Sequence, residues 1–432
     1  MNPTPERAPL IARLLNIEPK ESGAVTAGLS MFFMLFTGYF MLRPVRETMG
    51  VAGGVDNLQW LFTGTFIATL IAMPLFGWVA ARASRRRILP WTFGFFAVNL
   101  VVFALLFLGN EDDVWIARAF YIWLSVFNLL SISLAWSVLA DLFAVSQAKR
   151  LFALMAGGAS LGGLVGPLLG SLLVEPLGHA GLVLLSAVFI VGSIACAVWL
   201  QRWRDHHPLR VDDQAARGRP LGGNPFAGAT AVFRSPFLLG IAVFVLLLAS
   251  VSTFLYFEQA RLVEAYFPDR TRQTQVFGLI DTLVQGLAIL TQIFITGRVA
   301  RKLGVGVLLV AVPLITAAGF LWLALAPTFA VFAVVMVVRR AGEYAFVRPG
   351  REMLYTVAGN EEKYKAKNFI DTVVYRGADA LSGWVKRMLD LIAEHPALAM
   401  IIGAGLAVLW AGTGAGLGRA QRRREAAITQ AP

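Results

Sequence analysis

The sequence contains little charge and almost no cysteine. Only 15% of its 432 residues are Asp, Glu, Lys or Arg, whereas 57% are hydrophobic. Soluble domains carry about 25% charged and about 45–50% apolar residues, so the composition indicates a membrane protein. A single cysteine, Cys196, excludes disulfide bridges and cysteine-based metal sites. The four histidines show no ligand pattern, so we expect neither a metal nor a cofactor.

Long uncharged runs take the place of the missing charges. A membrane-spanning helix needs about 20 apolar residues. Such runs predict six spans, a polar segment at 202–234, and six further spans. Spans one to twelve are predicted at 24–42, 57–81, 88–110, 119–140, 151–174, 176–201, 235–257, 273–297, 303–326, from 327 onward, 368–392 and 396–418.

This pattern predicts an all-α polytopic membrane protein with twelve transmembrane helices in two six-helix bundles. The predicted domains are an N-terminal bundle, 1–201, a cytoplasmic linker, 202–234, and a C-terminal bundle, 235–432. The two halves share short sequence similarities at corresponding positions. Arg43 lies at the end of span one and Arg261 at the end of span seven, and the segments after spans two and eight are similar. These similarities favour a duplicated six-helix unit, as in two-bundle transporters.

Basic residues are concentrated in one set of loops and at both ends of the chain. The opposite loops carry acidic residues such as Glu111, Asp112 and Asp113. Because loops rich in Lys and Arg stay on the cytoplasmic side, we expect both termini to be cytoplasmic, in a bacterial inner membrane. The net charge of +12 is thereby explained by topology rather than by nucleic-acid binding.

The loop after span two reads GWVAARASRR from Gly77. It resembles the Gly-x-x-x-Asp-Arg-x-Gly-Arg-Arg motif of the major facilitator superfamily, with alanine for the aspartate and serine for the second glycine. The resemblance implies a gating loop that contains Arg82, Arg85 and Arg86.

A narrower resemblance joins four segments to the ATP/ADP translocases of plastids and intracellular bacteria. Residues 42–48, LRPVRET, resemble the LRDTKDT of that family, and residues 351–355, REMLY, resemble its KEMAY. Residues 361–371, EEKYKAKNFID, resemble its EEKxKGK and ID, and residues 147–150, QAKR, are similar to its EAKR. The chain lacks the family's membrane glutamate in helix four and has Arg46 in place of a lysine. The resemblance implies nucleotide transport.

Charged residues interrupt spans eight, ten and eleven, and others lie at the end of span one. A charge at the bilayer centre costs roughly 2.5–3.5 kcal/mol on insertion scales, so these residues need a functional explanation. In span ten, Glu343 lies one helical turn beyond Arg339 and Arg340, where it can partly neutralise both. In span eleven, a spacing of 100° per residue predicts a polar stripe that faces a water-filled interior. The stripe comprises Asp371, Tyr375, Asp379, Ser382 and Lys386, with Arg376 beside it.

Arginine recognises phosphate and carboxylate groups through planar, bidentate hydrogen bonds. We therefore interpret eight residues as candidate substrate-binding residues: Arg43, Arg46, Glu47, Arg339, Arg340, Glu343, Tyr375 and Arg376. Three more are interpreted as proton-coupling or salt-bridge residues: Asp371, Asp379 and Lys386. The alternative is that these charges only bridge helices.

The glycine run at 157–163 resembles a phosphate loop superficially. It lies inside an apolar span and lacks the Gly-Lys-Ser/Thr ending, so it predicts close helix packing instead.

Together these features predict a secondary active transporter of an organic anion, specifically a nucleotide or related phosphorylated compound, by exchange or proton coupling. The alternative is a major facilitator transporter of an unrelated small molecule, such as a drug or metabolite efflux carrier. An enzyme is not favoured, because no paired-carboxylate or His/Asp/Cys constellation is present. A sensor or scaffold is not favoured either, because such a protein would ordinarily carry a soluble domain and the sequence predicts none. We expect a monomer whose partners are the substrate, the bilayer and protons.

Overall fold

The computed structural model describes residues 18, 21–82, 84–207, 228–358, 360–392 and 396–430. Within these ranges the secondary structure is helical and no strand occurs. Most of the predicted linker, 208–227, lies outside the described residues. The α-helices are Ser22–Ala52, Leu58–Arg82, Arg85–Asn110, Val114–Leu142, Val145–His206, Ala229–Arg234, Pro236–Tyr266, Arg270–Thr291, Gly297–Leu303, Val305–Leu325, Phe329–Gly342, Arg348–Leu354, Asn360–Phe369, Tyr375–Ile392 and Pro396–Gln430.

Nine helical segments of the described chain are long and apolar enough to cross a membrane. They contain predicted spans one to nine and span twelve, because the segment Arg150–His206 holds both span five and span six. Gly178 separates those two spans with a φ of 65°, a conformation that glycine adopts without strain. Spans ten and eleven are also helical, but their charged residues keep them below this apolar threshold. The predicted all-α membrane protein with twelve spans is therefore confirmed.

Two helices extend beyond the apolar runs that predicted them. Span one continues to Ala52 with Pro44 inside the helix. Span seven continues to Tyr266. The charged residues that follow these runs in the sequence consequently lie on helices and have fixed directions.

The described chain divides into two compact units. The first comprises the described residues within Met1–Arg43, Trp78–Gly109 and Phe127–Leu221. In this unit span five lies directly on the backbone of span one. A Cβ atom added to Gly158 would lie 2.2 Å from the carbonyl oxygen of Leu29, and one on Gly162 would lie 2.6 Å from that of Phe33. Close packing by small residues, as the glycine run predicts, is thereby confirmed.

The second unit comprises the described residues within Pro44–Gly77, Asn110–Val126 and Gly222–Pro432. Its core is a cluster of large apolar side chains from spans seven, nine, ten and twelve. Phe244, Phe254, Phe320, Phe332 and Trp410 are among its fully buried members. This packed core supports the charged spans that carry the candidate site.

Within the described residues, π-helical segments occur in spans eight, ten and eleven, the same three spans that contain interior charges. They are Gln292–Thr296, Glu343–Val347 and Ile370–Val374. A π-helix bonds each N–H to the carbonyl five residues earlier, and such segments occur frequently at functional sites.

The first two π-segments are bonded to each other. Gln292 Nε2 donates to the carbonyl oxygen of Tyr344 at 2.9 Å, and Thr296 Oγ1 donates to that of Ala345 at 2.8 Å. The side chains of span eight therefore satisfy backbone carbonyls of span ten.

Candidate functional site

Span ten holds two adjacent, buried arginines, and each has its own carboxylate. Arg339 Nη1 donates to Glu343 Oε2 at 3.2 Å and to Ser252 Oγ at 2.9 Å. Arg340 Nη1 lies 2.5 Å from Asp281 Oδ1 of span eight. Glu343 thus pairs directly with Arg339 and lies close enough to Arg340 to interact with it electrostatically, which agrees with the expectation that it partly neutralises both. The backbone directs Arg340 toward span eight, where Asp281 neutralises it.

The two guanidinium groups retain unused hydrogen-bonding capacity. Nε of Arg339 and Nη2 of Arg340 are buried and have no hydrogen-bond partner among the described residues. A buried polar hydrogen without an acceptor costs free energy, and more so on a charged group. An anion that reached this pair would supply the missing acceptors.

Glu343 also connects span ten to a more exposed arginine. Its Oε1 lies 3.6 Å from Nε of Arg348, whose guanidinium stacks on the ring of Tyr344 at 4.3 Å from the centroid. Glu343 therefore holds Arg339 on its buried side and Arg348 on its exposed side.

Span eleven begins with Asp371 on its π-helical segment. Asp371 Oδ1 pairs with Arg351 Nη2 at 3.1 Å. The extra residue of a π-turn changes the angular register, so an ideal α-helical wheel does not apply across 370–374. Asp371 therefore belongs to a different cluster from the rest of the predicted stripe.

Beyond the π-segment, the polar stripe is buried against span seven. Asp379 lies 3.6 Å from Nη1 of Arg376 and accepts a hydrogen bond from Thr253 Oγ1 at 3.1 Å. Ser382 donates to Ser250 Oγ at 2.8 Å. Hydroxyl groups of span seven therefore satisfy part of the stripe, and its exposure to a water-filled interior stays a prediction.

The continuing helix of span one brings Arg46 and Glu47 to the second unit. Arg46 Nη2 lies 2.6 Å from Glu47 Oε1, and Arg46 Nη1 donates to Ser125 Oγ at 3.3 Å. The Arg46 guanidinium carbon lies 4.9 Å from the centroid of the Tyr121 ring. At this distance the cation interacts favourably with the aromatic face.

Aromatic residues surround this end of span one. The ring of Tyr256 lies 6.5 Å from that of Tyr121 and 5.2 Å from that of Phe62, edge to face in both cases. Phe62 in turn stacks on Phe257 at 5.8 Å. No sequence motif reveals this cluster, because its members come from spans two, four and seven.

The predicted residues of spans one, ten and eleven converge. Asp379 lies close enough to Arg46 and to Glu343 to interact electrostatically with both, besides its contact with Arg376. Tyr375 is similarly close to Glu343. The second unit thus gathers Arg46, Glu47, Arg339, Arg340, Glu343, Tyr375, Arg376 and Asp379 into one charged region.

Four predicted residues belong to the first unit. The Arg43 guanidinium lies 5.9 Å from the Phe40 ring, and that of Arg82 lies 4.2 Å from the Trp78 ring. Arg86 Nη2 pairs with Asp205 Oδ2, from the end of span six, at 2.5 Å. The side chain of Arg85 lies outside the described residues.

Lys386, the last predicted residue, lies beyond this charged region along span eleven. Its ammonium group pairs with Asp390. Two partners of the charged residues were not predicted from the sequence: Asp281, which pairs with Arg340, and Thr253, which donates to Asp379. A lone aspartate in the otherwise uncharged span eight was the available signal for Asp281. No group of His, Cys, Asp and Glu side chains in the described part of the chain is arranged to hold a metal ion.

The bonded π-segments give a first prediction. Replacing Thr296 with valine keeps the shape of the side chain but removes the donor to the Ala345 carbonyl, so we expect the free energy of unfolding to fall by about 1–3 kcal/mol. Thr282→Val is the matched control, because the Thr282 hydroxyl bonds to Gly278 of its own helix at 2.7 Å. Denaturant unfolding of both variants measures the difference. Equal losses would show that the contact between the π-segments adds no stability.

A search of curated protein sequences finds no match. The profile of the Major Facilitator Superfamily matches residues 25–347.

Solved structures share the fold at low sequence identity. A bacterial homologue of the iron transporter ferroportin, in an inward-facing state, has a TM-score of 0.63 at 14% identity, covering 92% of this chain and 98% of its own. The nucleoside transporter NupG has a TM-score of 0.62 at 13% identity, and the match covers 90% of this chain and 98% of NupG. The human organic anion transporter MFSD10 has a TM-score of 0.58 at 16% identity, and the match covers 92% of this chain and 100% of MFSD10. The family profile covers well over half of the chain, so the chain belongs to the Major Facilitator Superfamily, whose members are integral membrane transporters of small molecules.

Proposed function

We propose that this chain is a secondary active transporter of an organic anion, and that the anion is a nucleotide or a related phosphorylated compound. The observation that carries the proposal is the buried arginine pair of span ten, with one unused donor on Arg339 and one on Arg340. Buried, forked guanidinium donors suit phosphate oxygens better than neutral solutes.

Two further features support a nucleotide rather than a simple anion. The aromatic cluster of Phe62, Tyr121 and Tyr256 lies beside Arg46, and aromatic rings stack on nucleobases. The sequence segments at 42–48 and 351–371 resemble those of ATP/ADP translocases, and the first of them contributes Arg46 and Glu47 to the charged region. Shared fold with carriers of nucleosides or organic anions does not by itself select a substrate.

Transport proceeds in this proposal by alternating access of two bundles, 1–201 and 235–432, joined by a cytoplasmic linker, 202–234. Both termini face the cytoplasm of a bacterial cell, and the protein acts as a monomer in the inner membrane. Arg82, Arg85 and Arg86 form the gating loop.

In this proposal, the ion pair between Arg376 and Asp379 couples substrate binding to proton uptake. Among the four arginines of the charged region, Arg376 has the most exposed side chain, at 22%, and the longest ion-pair contact, at 3.6 Å from Asp379. An anion that binds Arg376 leaves Asp379, only 8% exposed, without its counter-ion. A buried carboxylate without a counter-ion takes up a proton more readily. Anion binding is thereby coupled to protonation.

Uptake into proteoliposomes tests the proposed substrate. Purified protein is reconstituted with internal ADP, and the entry of labelled ATP is compared with that of labelled nucleoside, of dicarboxylate and of a cationic drug. Saturable exchange of nucleotides alone supports the proposal. Transport of the nucleoside, dicarboxylate or drug without any nucleotide exchange establishes the alternative, a major facilitator carrier of an unrelated small molecule.

The proton-coupling role of Asp379 gives a second prediction. In Asp379→Asn the anion still binds Arg376, but no proton is exchanged. We expect a proton gradient to stop driving net accumulation, whereas exchange of internal for external anion persists. Glu175→Gln, at an exposed carboxylate, serves as the control. Gradient-driven accumulation by Asp379→Asn at the parent rate would overturn the assignment.

A further inference from the structure

The second unit contains a cavity of about 390 Å³ among helix ends, and this cavity has no part in the proposed anion site. It is formed by the ends of spans seven and eleven, by the turn after span one and by the start of span twelve. Its lining includes four carboxylates and three basic side chains beside an apolar wall.

Two intrahelical ion pairs face this cavity, and in each pair only one member is buried. On span seven, Glu258 is 4% exposed and pairs with Arg261, which is 47% exposed. On span eleven, Lys386 is 5% exposed and pairs with Asp390, which is 36% exposed. The cavity therefore offers one buried carboxylate and one buried ammonium group, each covered by a partner at the solvent side.

A third ion pair lies in the wall of the cavity. Arg387 Nη1 lies 2.6 Å from Asp56 Oδ1 in the turn after span one. Arg387 is the neighbour of Lys386 in span eleven, so this contact holds the turn against the helix that supplies the buried ammonium group. The wall is thus built from separate parts of the chain and is not a single surface cluster.

We propose that this cavity binds a small zwitterion, a molecule that carries an ammonium group and a carboxylate or phosphate group on a short body. The ammonium group replaces Arg261 at Glu258, and the anionic group replaces Asp390 at Lys386. The displaced partners are half-exposed, and such pairs contribute little to stability, so moving them into water costs little. A simple anion would meet the buried carboxylate, and a simple cation would meet the buried ammonium.

Two sources can supply this chemistry. One is a soluble compound of the amino-acid type, and the other is the head group of phosphatidylethanolamine. Both present an ammonium group a short distance from an anionic group, and a reconstitution with defined lipids distinguishes them.

Calorimetric titration of the full-length protein in phosphatidylglycerol nanodiscs tests the site. The probes are glycine and O-phosphoethanolamine, compared with inorganic phosphate and ethylammonium, which each carry half of the recognition chemistry. We expect saturable binding of a zwitterion and at least 10-fold weaker binding of both half-ligands, as loss of a charged hydrogen bond predicts. Glu258→Gln and Lys386→Met are each expected to weaken zwitterion binding by about 10-fold or more. Glu175→Gln and Lys302→Met, at exposed positions, serve as matched controls.

Nanodiscs of phosphatidylethanolamine identify the source. If the head group occupies the cavity, binding of the free zwitterion is lost in these discs, and if the ligand is soluble, binding is unchanged. The comparison of whole and half-ligands uses the unaltered protein, so it remains decisive even where a variant fails to fold. The proposal is overturned if no zwitterion binds in phosphatidylglycerol, if a half-ligand binds equally well, or if folded Glu258→Gln and Lys386→Met bind like the parent. Retained zwitterion binding in Arg340→Ala separates this cavity from the anion site.

Discussion

Arg340→Ala is expected to abolish nucleotide exchange in proteoliposomes, with a fall of at least about 100-fold. The substitution removes a buried fork of donors from the proposed site, and two lost charge-assisted hydrogen bonds are worth roughly 3 kcal/mol or more. Arg340→Lys keeps the charge but not the bidentate geometry, so we expect it to restore only a small part of the rate. Initial rates of labelled ATP entry against internal ADP measure both variants.

Arg340 also neutralises Asp281, so the single variant needs a control for folding. Removing one partner of a buried ion pair destabilises a protein by about 3–5 kcal/mol. The double variant Asp281→Asn/Arg340→Gln removes both charges together and is expected to fold. If this folded double variant still exchanges nucleotides at the parent rate, Arg340 only bridges spans eight and ten, and the substrate site lies elsewhere.

Gly158→Val is expected to prevent the first unit from folding. A Cβ atom at this position would lie 2.2 Å from the Leu29 carbonyl oxygen, far inside van der Waals contact, and backbone cannot yield as a flexible side chain can. Inserting even single methyl groups into a packed core costs about 1–3 kcal/mol, and a clash with backbone exceeds that range. The expected outcome is loss of monodisperse protein after extraction from the membrane.

Gly157 provides the control beside it in the sequence. A Cβ atom at Gly157 would meet no heavy atom within 4 Å, so Gly157→Val adds the same side chain to the same helix without the clash. We expect Gly157→Val to be recovered at parent yield with nearly unchanged thermal stability. Equal yields of the two variants would contradict the close packing of span five on span one.

Much of the fold follows from composition, because a bilayer constrains the length and polarity of each helix. Span boundaries were predicted well where apolar runs end in charge, as at Asn110. They were too short where a helix continues beyond the uncharged run into charged residues that are partly buried, as after Leu42 and Phe257. The length of an apolar run predicts how much of a helix is buried in the membrane. Where the helix ends depends instead on hydrogen bonding and packing.

The candidate site was only partly predictable. The arginines of span ten stand out because charge is costly inside a span. Their partners do not, since Asp281 and Thr253 lie on other spans and are brought close only by packing. Three residues of the stripe predicted on span eleven, Asp379, Ser382 and Lys386, are buried. Asp371 pairs instead with Arg351, because the π-segment at Ile370–Val374 changes the register and no propensity reveals such a segment.

The π-segments make the direction of the charged side chains depend on the exact length of three spans. A π-turn holds one more residue than the α-helical turn in its place, so deleting one residue within 292–296, 343–347 or 370–374 is expected to restore a regular α-helix. Each residue of an α-helix turns by about 100°, so the part of the span beyond the deletion would rotate by that angle relative to the part before it. Charged side chains on the two sides of each segment would then no longer face their present partners.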